Sequence, residues 1–183
     1  MPSRKVVIAG VAAGVLALGA APTYAALSPS LTSGGPTSVD GTEATAVFRI
    51  GDDTVRQVRY ADRQILKYTF QLVNGGLLPI TVTGLVQPKQ KPTLFDYQAI
   101  KAGEKTKFTI GAGDRRLVTL SLLMTACERL SSRAGSFVKD VHLRTSSVGV
   151  DRTVVVTLPE QVHSGSPREA KCPNATADSR PPG

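Results

Sequence analysis

Apolar residues alternate with polar ones over most of the chain beyond residue 44, and this period of two restricts the fold more than any other feature. Between Tyr68 and Leu72 every second residue is apolar, and the pattern returns in Val118–Met124 and Val154–Leu158. Successive side chains of a strand point to opposite faces of a sheet, so the spacing predicts strands with one buried face. Beyond the N-terminus no segment keeps the 3.6-residue period of an amphipathic helix, which indicates an all-β chain.

Turn-forming residues separate the alternating segments. Asn74-Gly75-Gly76 follows the first segment, and we expect this turn to join it to Ile80–Thr83 in a hairpin. Ala102-Gly103-Glu104 and Gly111–Asp114 are expected to form further turns. The period of two places these side chains in the core: Tyr68, Phe70, Leu72, Ile80, Val82, Phe95, Tyr97, Ala99, Phe108, Ile110, Val118, Leu120, Leu122, Met124, Phe137, Val141, Leu143, Val154, Val156 and Leu158.

The number and length of these segments favour an immunoglobulin-like sandwich of two sheets with about seven to nine strands. Thr45–Ile50 and Val55–Tyr60 are weaker strand candidates that complete this count. A small β-barrel is the alternative arrangement. We expect residues 45–173 to form this one domain.

The N-terminus has the layout of a secretory signal. Arg4 and Lys5 precede Val6–Ala21, a run of 16 residues without a charged or polar side chain, and Thr23 and Ala25 then place small residues at the −3 and −1 positions of a cleavage site. We expect residues 1–25 to be a signal helix cleaved after Ala25, with Ala26 as the neighbouring option. The alternative is an uncleaved membrane anchor, and in both cases the rest of the chain lies outside the cytoplasm.

Two segments have no regular apolar period. Residues 26–44 are rich in Ser, Thr, Gly and Pro, so we expect a flexible spacer there. Residues 174–183 are polar with paired prolines, and we expect a disordered tail.

The formal net charge is +8, with 22 basic and 14 acidic residues. The basic residues are scattered rather than clustered, which argues against a nucleic-acid partner. An anionic polymer of the cell envelope or another envelope protein would suit such a surface. Membrane contact is expected only through the N-terminal segment, if that segment stays uncleaved.

No motif of the sequence specifies a cofactor or a metal ion. Gly111-Ala112-Gly113 lacks the third glycine of a dinucleotide-binding loop, so we interpret it as a turn. Asp52-Asp53 lies in a short turn and lacks the further ligands of a calcium loop. We therefore expect no cofactor and no metal site. Asn174-Ala175-Thr176 matches a glycosylation pattern, which we interpret as chance.

His142 is the one residue around which a catalytic site could be drawn. Asp140 precedes it by two positions and would share its face of a strand. No motif identifies a serine nucleophile for this pair, and His163 stands apart. We expect no catalytic residue, and an extracytoplasmic hydrolase built on Asp140, His142 and a serine is the alternative.

Three stretches together resemble an uncharacterised group of exported or membrane-anchored immunoglobulin-like proteins of actinobacteria. They are Tyr68–Leu85, Ala126-Cys127-Glu128, and Asp151–Val156 followed by Cys172-Pro173. The resemblance implies a β-sandwich in a Gram-positive envelope and no particular activity.

Cys127 and Cys172 are the only cysteines, and export would place them where disulfides persist. The resemblance implies the same pairing, since a Cys-Glu pair is matched by a late Cys-Pro in that group. We expect one disulfide between them, and two free thiols or a bond to another chain are the alternatives. The sequence as a whole predicts a non-catalytic extracytoplasmic module with a binding, adhesion or accessory role.

Overall fold

The structure is a computed structural model that describes residues 30–89, 94–125 and 136–164. In these ranges the regular structure consists of ten strands and includes no helix. The strands are β1 (Leu31–Asp40), β2 (Ala44–Ile50), β3 (Asp53–Val58), β4 (Ile65–Asn74), β5 (Ile80–Val86), β6 (Phe95–Lys101), β7 (Phe108–Ile110), β8 (Arg115–Met124), β9 (Ser136–Ser147) and β10 (Val150–Ser164).

The strands form two sheets packed as a sandwich, and this confirms the predicted fold class. One sheet has four strands in the order β1-β4-β8-β6, and the other has six in the order β2-β3-β10-β9-β5-β7. Neighbouring strands run antiparallel except β3 and β10, which are parallel. The ten strands exceed the expected number because the chain forms β1 in a segment that the sequence did not mark as a strand.

The core lies between the two sheets and is built from their inward faces. Tyr68 and Phe70 stack with their ring centroids 5.7 Å apart. Val118, Leu120 and Leu122 of β8 are buried beside them, as the period of two predicts. β4 and β8 pair with Tyr68 opposite Leu120. The apolar side chains of both strands therefore point to the same side of the sheet.

The expected spacer differs from the structure. Leu31–Asp40 forms β1, which pairs with β4 at the edge of the four-stranded sheet. Its apolar contacts with the core come from two residues, Leu31 and Val39, too few to produce a visible period. A register irregularity between Gly34 and Ser38, beside the cis Gly35-Pro36 bond, interrupts the pattern further.

The expected hairpin across Asn74-Gly75-Gly76 is wrong. The strands on either side of it, β4 and β5, belong to different sheets, so this connection crosses from one sheet to the other. Asn74 is fully buried, and its side-chain amide donates to the carbonyls of Leu78, Ile110 and Gly111. Its side-chain oxygen accepts the N–H of Gly76. These side-chain hydrogen bonds hold the crossover, in place of the strand-to-strand hydrogen bonds that a hairpin would have formed.

Two side chains expected in the core lie elsewhere because of β-bulges. Phe137 is 45% exposed, and Val138 takes the buried position instead. The register of β9 against β10 shifts between Thr157 and Val162, which reverses the facing of the residues beyond it. A shift between Tyr97 and Ala99 acts in the same way, since it leaves Ala99 half-buried and turns the next residue inward.

Several expectations concern residues outside the described ranges. These are the signal or anchor helix of residues 1–25, the disulfide of Cys127 with Cys172, and the tail of residues 174–183. Within the described ranges, no helix has the length and apolar character needed to cross a membrane.

Candidate functional site

A bidentate ion pair joins β3 to β10 at the side of the sandwich. The guanidinium of Arg56 donates from Nε and Nη2 to the two carboxylate oxygens of Glu160, at 2.5 Å and 2.9 Å. Arg56 also donates to the hydroxyl of Thr37 in β1, and the hydroxyl of Tyr68 donates to Glu160. The bulge of β10 that carries Pro159 and Glu160 turns this carboxylate toward the four-stranded sheet. These contacts tie the two sheets together.

The electrostatics of the pair favour its charged form. Burial by itself would raise the pKa of Glu160, but the hydrogen bonds and the positive charge of Arg56 outweigh burial and hold the pKa of this carboxyl below its ordinary value. The hydrogen bond to Glu160 raises the pKa of Arg56. Burial, followed by the charge of Glu160, raises the pKa of Tyr68. These hydrogen bonds connect the side chains of Arg56, Glu160, Thr37 and Tyr68 to one another, so we assign this group a structural role.

The exposed large apolar side chains of the described residues are unevenly distributed. Seven of the ten lie in β2, β9, β10 or the turn between β9 and β10, all belonging to the six-stranded sheet. They are Val47, Phe48, Ile50, Phe137, Val148, Val150 and Val155. Clustered exposed apolar side chains mark interaction surfaces more often than scattered ones do.

The outward side of the central strands β9 and β10 is the candidate functional site. We call it the ribbon face and define it by Phe137, Asp140, His142, Val155 and His163. Phe137 and His163 are register partners, and their ring centroids lie 4.3 Å apart. Val155 is the register partner of His142, and its side chain is exposed. The ribbon face therefore carries one phenyl ring, two imidazole rings, an exposed valine and a carboxylate along one surface.

His163 carries a polar atom whose hydrogen-bonding capacity is not used by the described residues. Its Nδ1 is buried and has no hydrogen-bond partner among the described residues. Burial lowers the pKa of His163, so the neutral ring is favoured near neutral pH. A neutral imidazole beside Phe137 can pack against an apolar group of a partner. Sequence reasoning placed Phe137 in the core and left His163 unassigned, and it therefore missed this pair.

Asp140 and His142 lie on the same face of β9, as the sequence predicted. The groups around them make structural contacts. The carboxylate of Asp140 accepts a hydrogen bond from the hydroxyl of Thr157 at 2.7 Å. Its main-chain carbonyl accepts one from the hydroxyl of Tyr97, whose pKa is raised by burial and then by the charge of Asp140. The register partners of His142 are Val155 and Val86, and neither offers a nucleophile.

The turns at Asp52-Asp53 and Gly111-Ala112-Gly113, which resemble parts of metal and cofactor motifs, have structural roles. Asp53 forms an ion pair with Lys139 at 3.8 Å, and Gly51 supplies the positive φ at the start of the β2–β3 turn. Gly113 donates its N–H to the carbonyl of Asn74. In the part of the chain that the structure describes, no three His, Cys, Asp or Glu side chains group together as metal ligands would.

No protein-family model and no curated protein matches the chain. Among solved structures it is similar to the cupredoxin domain of amoB from Nitrosocaldus yellowstonii, with 13% identity and a TM-score of 0.29. That match spans 56% of this chain and 57% of that one. It is also similar to the ASH/PapD-like domain 7 of human CEP192, with 9% identity, a TM-score of 0.31 and 71% and 84% of the two chains covered. Similarities this distant say nothing about a ligand. The chain is therefore described by its architecture, a two-sheet β-sandwich.

Proposed function

We propose that the chain is a non-catalytic extracytoplasmic module of the cell envelope, and that it binds another envelope protein through the ribbon face. The observation that carries the proposal is the outward pair of Phe137 and His163. Phe137 is 45% exposed and pairs with His163 on the outward side of the two central strands. Aromatic and aliphatic groups interspersed with polar ones are typical of the centre of a protein interface.

The charge distribution supports a protein partner over an anionic polymer. The chain has 22 basic and 14 acidic side chains. Several of the basic groups are already paired: Arg56 with Glu160, Arg59 with Glu43, Lys67 with Asp40, and Lys139 with Asp53. A polymer would therefore find part of the positive charge already engaged in ion pairs, while a protein partner would gain from covering apolar side chains.

The surroundings of His142 support a non-catalytic role. A hydrolase would need a serine hydroxyl within hydrogen-bond distance of the imidazole. The strand neighbours of His142 are valines, and Asp140 is bonded to Thr157. The extracytoplasmic location rests on the signal-like N-terminus, and fractionation of the producing cells tests it separately.

Site-specific photocrosslinking in living cells tests the binding surface. A photoreactive residue at Phe137 is expected to trap one discrete partner protein, because this ring lies in the proposed interface. The same residue at Leu77, which is 73% exposed in a loop away from the ribbon face, is the matched control and should trap none. A Phe137→Ser, His163→Ala variant should lose the partner while it keeps its melting temperature. Equal trapping at both positions would contradict the proposal.

A further inference from the structure

The four sheet edges of the described fold differ in how well they are protected. An unpaired edge strand exposes backbone N–H and C=O groups that can pair with another chain, and native proteins usually block such edges. β7 is only three residues long. β1 is interrupted beside its cis Gly35-Pro36 bond, and β6 contains a bulge between Tyr97 and Ala99. The remaining edge, β2, has neither glycine nor proline, and its one register irregularity lies at its start, between Ala44 and Ala46.

β2 is also unusually apolar for an exposed edge. All seven of its residues are exposed, and Arg49 is its one charged side chain. From Ala46 to Ile50 it keeps a regular register with β3. A regular, apolar and exposed edge of this kind is a site for strand addition.

The direction of the free backbone groups follows from the turn after β2. Ile50 and Asp53 are register partners across Gly51-Asp52, and Gly51 has φ of +59° as the first residue of a type II′ turn requires. The residues that flank such a turn form a hydrogen-bonded pair, and the bonding then alternates along the strand. Arg49 and Val47 therefore direct their N–H and C=O groups away from β3.

We propose that β2 pairs with β2 of a second copy of this chain, antiparallel about a two-fold axis at Val47. In this register the outward N–H and C=O of Val47 meet those of Val47 in the second copy. Phe48 of each copy lies opposite Ala46 of the other, so a large side chain meets a small one twice. The strand is self-complementary in size as well as in hydrogen bonding, which favours a second copy over an unrelated strand.

The charges of β2 also fit this register. The two Arg49 residues fall on opposite sides of the axis, about 14 Å apart along the strands. Each Arg49 faces the start of the other copy's β2, where the register with β3 shifts between Ala44 and Ala46 and where Glu43 lies just ahead of the strand. Glu43 is exposed, as is its partner Arg59. Like charges are thus kept apart, and each arginine points toward the end of the other strand that carries a carboxylate.

Val47→Lys in the full chain tests the pairing, because it places two like charges together at the axis. Val150→Lys is the matched control, since Val150 is 51% exposed and Val47 is 50% exposed. In sedimentation equilibrium we expect the wild type and Val150→Lys to form the same reversible dimer. We expect Val47→Lys to weaken that dimer at least tenfold, with an unchanged melting temperature at protein concentrations low enough for both chains to be monomeric. A dimer that Val47→Lys leaves intact would overturn the proposal, as would a wild type that stays monomeric up to millimolar concentration.

Covalent trapping gives a second measurement that does not depend on affinity. Under mild oxidation Val47→Cys is expected to form a disulfide-linked dimer, while Val150→Cys and the wild type should not. Hydrogen exchange should also slow at the amides of Val47 and Arg49 as concentration rises. Protection that appears only when another protein is added would mean a different occupant and would overturn the self-pairing. The Phe137→Ser, His163→Ala variant should still dimerise, so the two proposals fail independently.

Discussion

The side-chain amide of Asn74 donates a hydrogen bond to the carbonyl of Gly111, 3.0 Å away, and so joins the end of β4 to the end of β7 in the opposite sheet. The same amide reaches the carbonyls of Leu78 and Ile110. The main chain of Asn74 is bonded as well, with its N–H donating to Asp114 and its carbonyl accepting from Gly113. One buried side chain thus fixes the crossover between the two sheets.

Asn74→Ala is expected to lower the free energy of unfolding by about 2–4 kcal/mol. The substitution leaves buried carbonyls and the Gly76 N–H without their side-chain partner, and unsatisfied buried groups carry their full desolvation cost. Asn74→Asp should cost at least as much, because it keeps the shape but removes both donors. Urea unfolding measures these changes. Gln71→Ala in the same strand is the control, expected within about 0.5 kcal/mol. A loss below about 1 kcal/mol for Asn74→Ala would contradict this account.

Asn74 also shows where sequence reasoning stops. An Asn-Gly-Gly sequence between two alternating segments has the local chemistry of a hairpin turn. The carbonyls that Asn74 binds at Ile110 and Gly111 lie more than 30 residues further along the chain. A local pattern cannot reveal that contact, so it cannot distinguish a turn within one sheet from a crossover between two. The alternation itself was sufficient to predict the buried faces of β4 and β8.

The candidate site was hidden for a related reason. Phe137 and Val141 are four residues apart, and strict alternation places them on one face. The register shift between β9 and β10 breaks that parity and turns Phe137 outward beside His163. A bulge depends on how two strands pair, and the sequence of either strand alone does not indicate it. By contrast, the outward positions of Asp140 and His142 lie on the regular side of the shift and were predicted.

Cys127 and Cys172 lie outside the described residues, and their disulfide stays a prediction. Ser136 and Ser164 are register partners. Cys127 precedes the first of them by nine residues and Cys172 follows the second by eight, a separation that extended chain can span. The bond would close a loop of 45 residues and stabilise the fold by about 4 kcal/mol in the chain-entropy model. Non-reducing mass spectrometry should give one linked peptide pair, and two alkylatable thiols before reduction would disprove it.

Val148→Asn is expected to stabilise the protein by about 1 kcal/mol. Val148 and Gly149 form the turn between β9 and β10, with φ of +50° and +75°, and Ser147 pairs with Val150 across it. Such a turn suits asparagine and glycine, while a β-branched residue is strained at positive φ. Val148 is exposed, so little burial is lost. Thermal unfolding measures the change, with Val150→Asn as the control that should not stabilise. An unchanged or lower melting temperature for Val148→Asn would refute this interpretation.

Glu160→Gln is expected to reduce both the stability near neutral pH and the loss of stability in acid. The pKa of Glu160 is lower in the folded state than its ordinary value, because Arg56 favours the carboxylate. On acidification the unfolded chain therefore takes up this proton first, near the unperturbed glutamate pKa of about 4.3. The contribution of the pair is complete above that value and disappears as the pH falls through the folded pKa. The glutamine variant lacks this contribution at every pH, so its stability should fall less steeply between about pH 5 and pH 3.

A matched acidic residue separates this effect from general acid unfolding. Glu104 is 99% exposed and faces Lys101 at 3.8 Å. Exposed pairs of this kind contribute little, so Glu104→Gln should reproduce the wild-type pH profile of urea unfolding. At pH 7, Glu160→Gln should cost about 2–3 kcal/mol, since Arg56 would lose a bidentate partner at a mostly buried site. Arg56→Gln combined with Glu160→Gln should recover part of that loss in a double-mutant cycle, because neither charge is then left unpaired. If the wild type and Glu160→Gln fall with the same slope in acid, the Arg56–Glu160 pair does not stabilise the folded state as we describe.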